Sequence, residues 1–131
     1  MAEMLQFDLV SPERRLAAFE AHEVSVPGAE GDMTAMAGHM PLVTALRPGV
    51  VRAVSDKGES TFVVTQGMVE ITATSVSVLA EQAFPSAEAP RETLEAMLAE
   101  ARAAAAAAEG AGKDAAEKHA ADLAELIARL G

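Results

Sequence analysis

Residues 50–65 read Val50-Val51-Arg52-Ala53-Val54-Ser55-Asp56-Lys57-Gly58-Glu59-Ser60-Thr61-Phe62-Val63-Val64-Thr65. Two runs rich in β-branched and aromatic residues, Val50–Val54 and Thr61–Thr65, bracket a polar loop. Its Lys-Gly step suits a turn that needs positive φ, where glycine meets no Cβ clash. This is a β-hairpin pattern, and working outward from it the same grammar recurs. Leu5, Phe7 and Leu9 alternate with Gln6 and Asp8 until Ser11-Pro12-Glu13 breaks the run. Val24 and Val26 precede Pro27-Gly28, and Glu30-Gly31-Asp32 makes a second turn before Met33–Ala37. Gly38–Pro41 and Arg47-Pro48-Gly49 flank Leu42–Leu46, and Met68–Thr72 and Val76–Ala80 are separated by Ala73-Thr74-Ser75. About eight to ten short strands within residues 1–85 predict an all-β unit, a sandwich or barrel.

From residue 86 the composition changes. Residues 86–131 hold 18 Ala and no Val. Leu94, Met97, Leu98, Ala101, Ala104, Ala105 and Ala108 fall at helical spacing, as do Ala116, Leu123, Leu126, Ile127 and Leu130, which predicts two amphipathic helices over about 91–109 and 113–130. Gly110-Ala111-Gly112 supplies a break short enough to fold them back antiparallel; Pro90 suits a first helical turn, and Pro85-Ser86 marks the boundary. The expected fold is therefore an all-β sandwich over 1–85 followed by a C-terminal antiparallel α-helical hairpin over 86–131. Alanine methyls bury little, so the hairpin leans on seven large apolar side chains. These contribute at most about 10–20 kcal/mol before ordering costs are subtracted. A hairpin this marginal can dock on the sandwich or separate from it with little difference in free energy.

Composition excludes several functions. The 131 residues contain ten basic and twenty acidic side chains, a net charge of −10, which repels nucleic acid and anionic lipid. There is no Cys, hence no disulfide, thiol nucleophile or thiolate metal site. No apolar run reaches the roughly 20 residues of a membrane helix, and the N-terminus lacks an export signal. His22, His39 and His119 are the only imidazoles, and no two share the i, i+4 spacing of a helical metal site. No Gly-x-Ser-x-Gly elbow is present. His22 and His119 read as exposed surface residues. Gly28-Ala29-Glu30-Gly31-Asp32 lacks the Gly-Lys-Ser/Thr ending of a phosphate loop, and its two carboxylates repel phosphate, so it reads as a tight turn. Gly38-His39-Met40-Pro41 places an imidazole on a rigid corner, which is equally consistent with binding and with a structural role.

These blocks, taken in order, resemble a known family. Phe7-Asp8-Leu9-Val10-Ser11-Pro12-Glu13, Val26-Pro27-Gly28-Ala29-Glu30-Gly31-Asp32, Gly38-His39-Met40-Pro41-Leu42, Leu46-Arg47-Pro48-Gly49, Gln66-Gly67-Met68-Val69-Glu70 and Val76-Ser77-Val78-Leu79-Ala80-Glu81 are similar to the epsilon subunits of F-type ATP synthases, whose mitochondrial counterpart is called delta. The resemblance implies a non-catalytic subunit of the rotating central stalk, which couples rotation of the c ring through gamma to ATP synthesis. Its sandwich would bind gamma on one side and the c-subunit ring at one end. Glu30, Gly31 and Asp32, with Gly38, His39, Met40 and Pro41, match the loops that face the c ring. In many members the hairpin extends towards the catalytic alpha/beta head and restrains ATP hydrolysis, and in some it binds ATP.

This chain departs from the family's nucleotide motif. Pro90 and Thr93 stand in Ala89-Pro90-Arg91-Glu92-Thr93-Leu94 where the motif has Asp and Arg, so little or no ATP binding is expected and no cofactor is implied. The hairpin carries five basic residues against nine acidic ones, which weighs against docking on an acidic loop of the head and so against inhibition. The absence of an Arg- and Ser-rich presequence suggests the cytoplasmic face of a bacterial plasma membrane, with no direct insertion into the bilayer. The competing reading is a stand-alone β-sandwich that binds a ligand or catalyses a reaction, which would need a pocket of convergent polar groups.

Overall fold

The computed structural model describes residues 4–86 and 91–130, Leu130 by its backbone alone. These residues fall into two compact units, one built of strands and one of helices. The first contains β1 (Leu5–Val10), β2 (Arg15–Ala21), β3 (Glu23–Gly28), β4 (Gly31–Met36), β5 (Leu42–Leu46), β6 (Gly49–Ser55), β7 (Gly58–Val64), β8 (Gly67–Ile71), β9 (Ser75–Ala80) and β10 (Ala83–Pro85). The second contains α1 (Arg91–Ala107) and α2 (Ala111–Leu130).

The strands run in the order β10-β7-β6-β3-β5-β8-β9-β1-β2, with β4 attached to β3. All neighbours are antiparallel except β1 and β9, which are parallel from Gln6↔Ser75 to Val10↔Leu79. One pair, Gly28↔Leu46, joins β3 to β5. The ladder therefore behaves as two sheets, β10-β7-β6-β3-β4 and β5-β8-β9-β1-β2, hinged at one bridge, and this is the expected sandwich. The hairpin quoted first is β6–β7: Ser55 faces Gly58 across the turn Asp56-Lys57, and Gly58 takes φ +116°.

Alternation decides which side chains meet inside. Leu5, Phe7 and Leu9 of β1, Val51 and Ala53 of β6, and Val76, Val78 and Ala80 of β9 are all buried. Phe7 sits at the centre, edge-on to Phe19 at 5.3 Å between ring centroids and tilted against Phe62 at 6.1 Å. With so few aromatic rings, this trio supplies the largest apolar areas in the core.

In the helical unit, Ala101, Ala120 and Leu123 form the seam, with Met97 and Leu98 packed against them. Leu94, Leu126 and Ile127 are buried as well. The break falls earlier than expected. Gly110 takes φ +66° and its carbonyl accepts the Lys113 N–H at 3.1 Å. Gly110 thus starts α2 at Ala111 and leaves Gly112 inside the first helical turn. Pro90 and the Leu130 side chain lie outside the described residues. Among the described residues, no helix is long and apolar enough to cross a membrane.

Candidate docking surface

The β3–β4 hairpin closes on Gly28↔Gly31, so Ala29 and Glu30 alone form the turn, and Gly31 takes φ +143°. A side chain at Gly28 would put its Cβ 3.0 Å from the Gly31 carbonyl oxygen, which makes glycine the residue that fits here. The turn is braced from β5. Ala29 N–H donates to Ala45 O at 2.9 Å, and Arg47 N–H donates to Pro27 O at 3.0 Å. Arg47 Nε donates to Gly28 O at 2.9 Å while its terminal nitrogen holds the Asp32 carboxylate. A largely buried guanidinium thus fixes an exposed carboxylate on a stiff tip, while Glu30 stays exposed beside it. Glu30, Gly31 and Asp32 share a groove of about 390 Å³ with Met33, Leu42 and Val43.

The second expected segment stands at the other end of β4. Gly38 takes φ +88° and its N–H donates to Ala73 O at 2.7 Å; His39 N–H donates to Met36 O at 3.0 Å. His39 Nδ1 lies 2.7 Å from Met40 O. The imidazole is half-buried and helps shape the corner, whereas Met40, 79% exposed, and Pro41 face outward. At about 3.3 Å per residue, the four β4 residues after Asp32, Met33–Met36, put Asp32 about 13 Å from Met36, and Gly38–Pro41 lies beyond that end. The fold places all seven residues on one strand and its two ends, not in one cluster.

Two features were not anticipated from the sequence. One is Arg47, visible there only as part of Leu46-Arg47-Pro48-Gly49. The other is an apolar row on the outer face of the second sheet. Ala45 faces Met68, Met68 faces Leu79, and Leu79 faces Val10 across four strands. Leu79 is 58% exposed and Met68 46%, with Val43 also open on β5. The signal was present in strand parity: Leu79 shares a face with Ser75 and Ser77, and Met68 shares one with Glu70.

The remaining candidates have other positions. His22 is not a free edge residue. It sits at the β2–β3 corner, its Nε2 is 2.5 Å from Asp56 on the β6–β7 turn, and its Nδ1 is buried without a partner among the described residues. The reason is that β3 pairs with β6, which carries that turn to the corner. His119 is half-buried on α2, next to the seam residue Ala120. Thr93 is exposed in the first turn of α1, where Arg91 pairs with Glu95 at 3.0 Å. Among the described residues, no group of three His, Asp or Glu side chains is placed to hold a metal.

A stiff β unit that shows an apolar row on one face and polar, rigid turns at the ends of one edge strand is a docking module. Comparison with known proteins narrows that class. Residues 4–86 match the family model described as ATP synthase, Delta/Epsilon chain, beta-sandwich domain. An ATP synthase epsilon chain of Fuscovulum blasticum is 54% identical over 131 residues, covering 100% of this chain and 99% of that protein. One from Cereibacter sphaeroides is 52% identical with the same coverage. A chain of the Euglena gracilis mitochondrial ATP synthase OSCP/F1/c-ring structure shares the fold with a TM-score of 0.73 at 24% identity, over 98% of this chain and 82% of that one. The chain belongs to the epsilon-chain family of ATP synthases, which makes it a subunit of that complex.

Proposed function

We propose that this chain is a non-catalytic rotor subunit of a proton-translocating F-type ATP synthase, which helps transmit c-ring rotation through gamma to ATP synthesis. It works peripherally on the cytoplasmic face of a bacterial plasma membrane. The observation that carries this reading is a family match that runs through both the strand unit and the helical unit. The geometry fits the task. Torque passes without loss only through a body that does not deform, and a closed-packed sandwich with its turns braced by Arg47 meets that need. The apolar row Ala45, Met68 and Leu79 meets gamma, because a contiguous exposed apolar patch is the surface most stabilised by a permanent partner. Glu30, Gly31 and Asp32 at one end of β4, and Gly38, His39, Met40 and Pro41 at the other, face the polar loops of the c ring.

The test uses Asp32→Cys and His39→Cys variants assembled into the complex, with cysteines placed in the c-subunit loops. Disulfide capture at either position supports the assignment. Failure at both, with gamma still co-purifying, removes the c-ring assignment; loss of gamma as well, or substrate turnover by the purified chain, removes the rotor reading.

A further inference from the structure

We propose that the outer edge of β4 receives an extended segment of a partner protein as an additional strand. This inference rests on the reading above for the presence of a partner at this part of the sandwich.

The hydrogen-bond pattern of β3 fixes which groups are free. Pro27 has no N–H, its carbonyl accepts from Arg47, and Ala29 N–H donates to Ala45 O, so these two residues point towards β5. Pairing alternates along an antiparallel ladder. Gly28↔Gly31, Val26↔Met33 and Val24↔Ala35 are therefore the pairs that bond across β3 and β4. The N–H groups of Asp32, Thr34 and Met36, and the carbonyls of Asp32 and Thr34, point away from β3. The Met36 carbonyl already accepts from His39. Among the described residues β4 pairs with β3 alone, and none of the three N–H groups donates to a turn or loop carbonyl.

An unpaired edge is a template for another chain, and proteins normally blunt it with Lys, Pro, a bulge or short length. β10, an edge of the same sheet, is three residues long and ends in Pro85. β4 has no Lys, Pro or bulge, and its one charge, Asp32, is drawn to Arg47: it is Gly31-Asp32-Met33-Thr34-Ala35-Met36, six residues in unbroken register. Strand addition on such an edge supplies affinity through main-chain hydrogen bonds and specificity through side chains.

The side chains define the occupant. The Asp32 end carries the exposed Glu30 carboxylate beside the Arg47-held Asp32 and opens into the groove beside β5. The opposite end presents Met36 at 57% exposure and Met40 at 79%. The complementary segment is extended, about six residues long, with a Lys or Arg at one end and an apolar side chain at the other. It also explains how two candidate segments at opposite ends of β4 belong to one interface: the partner's backbone follows the strand that joins them.

Amide hydrogen exchange on the full chain, free and assembled in the ATP synthase, tests this. Strand addition slows exchange at Asp32, Thr34 and Met36 at least tenfold on assembly, while the β3-bonded Met33 amide, already protected, changes less. Thr34→Pro removes the outward N–H, and Thr34→Val removes only the hydroxyl that meets Ser25 Oγ at 2.9 Å. The proline variant should bind at least tenfold more weakly than the valine variant. Disulfide capture at Asp32 with unchanged exchange at all three amides overturns strand addition while leaving the c-ring assignment standing. Protection at the three amides without capture overturns the c-ring assignment and supports a strand from another subunit. Equal binding of the two Thr34 variants also refutes the proposal.

Discussion

Replacing Arg47 by Met keeps an unbranched apolar stem but deletes the guanidinium that braces the β3–β4 turn. Two interactions disappear. The bond from Nε to Gly28 O, 2.9 Å and partly buried, is a charged donor on a backbone carbonyl and contributes about 1.5–3 kcal/mol. The pair with Asp32 is discounted because that carboxylate is 67% exposed, and such pairs contribute about 0.2–1 kcal/mol. The backbone bond therefore dominates, and Arg47→Met should destabilise the strand unit by about 2–3 kcal/mol, whereas Asp32→Asn should cost less than about 1 kcal/mol. Every valine of the chain precedes residue 86, so valine methyl NMR signals report the strand unit alone during urea unfolding. With a slope of about 1 kcal/mol/M for a unit this small, the midpoint should fall by about 2–3 M for Arg47→Met. Equal losses for the two variants, or a loss below about 1 kcal/mol for Arg47→Met, would refute the view that Arg47 acts mainly on the turn's backbone.

Three further outcomes are expected. Gly67→Ala forces a Cβ to 1.9 Å from the Leu79 carbonyl oxygen and 2.9 Å from the Ala80 Cα, so β8 and β9 must part. The valine methyl spectrum should lose its folded dispersion, or show a stability loss of about 3 kcal/mol or more. Deleting residues 86–131 should leave ATP hydrolysis by the reassembled enzyme within about twofold, because a hairpin with five basic and nine acidic residues is poorly matched to the acidic head loop that the family resemblance implies; a several-fold rise in a hydrolysis assay would establish an inhibitory arm. About 1 mM ATP should leave the thermal midpoint of the isolated chain unchanged. A site with a dissociation constant near 10 μM would add about 2.7 kcal/mol of stability, and calorimetry would detect it readily.

Strand positions with strict alternation, such as Leu5-Phe7-Leu9, could be read directly, and so could turns whose geometry demands glycine, such as Gly58 and Gly31. β2 was harder to see, since Leu16-Ala17-Ala18-Phe19 does not alternate in polarity and alanine has little preference for a sheet. It becomes a strand because β1 lies alongside it and Phe19 meets Phe7. The two candidate segments were legible as turns, but their separation along β4 was not, because spacing in sequence does not say that the intervening residues are extended. Arg47 escaped for a similar reason: its partner Gly28 is 19 residues away. The row of Ala45, Met68 and Leu79 could be mistaken for core, since apolar character by itself does not tell which face of a sheet is covered.

The parallel pairing of β1 with β9 has a consequence for synthesis. β1 takes one of its two permanent neighbours from residues made about 70 positions later. At about 5–20 residues per second, Leu5, Phe7 and Leu9 wait for several seconds with only β2 beside them. During that interval their apolar side chains lack the cover that β9 later provides, and slow translation between residues 22 and 75 would prolong the exposure.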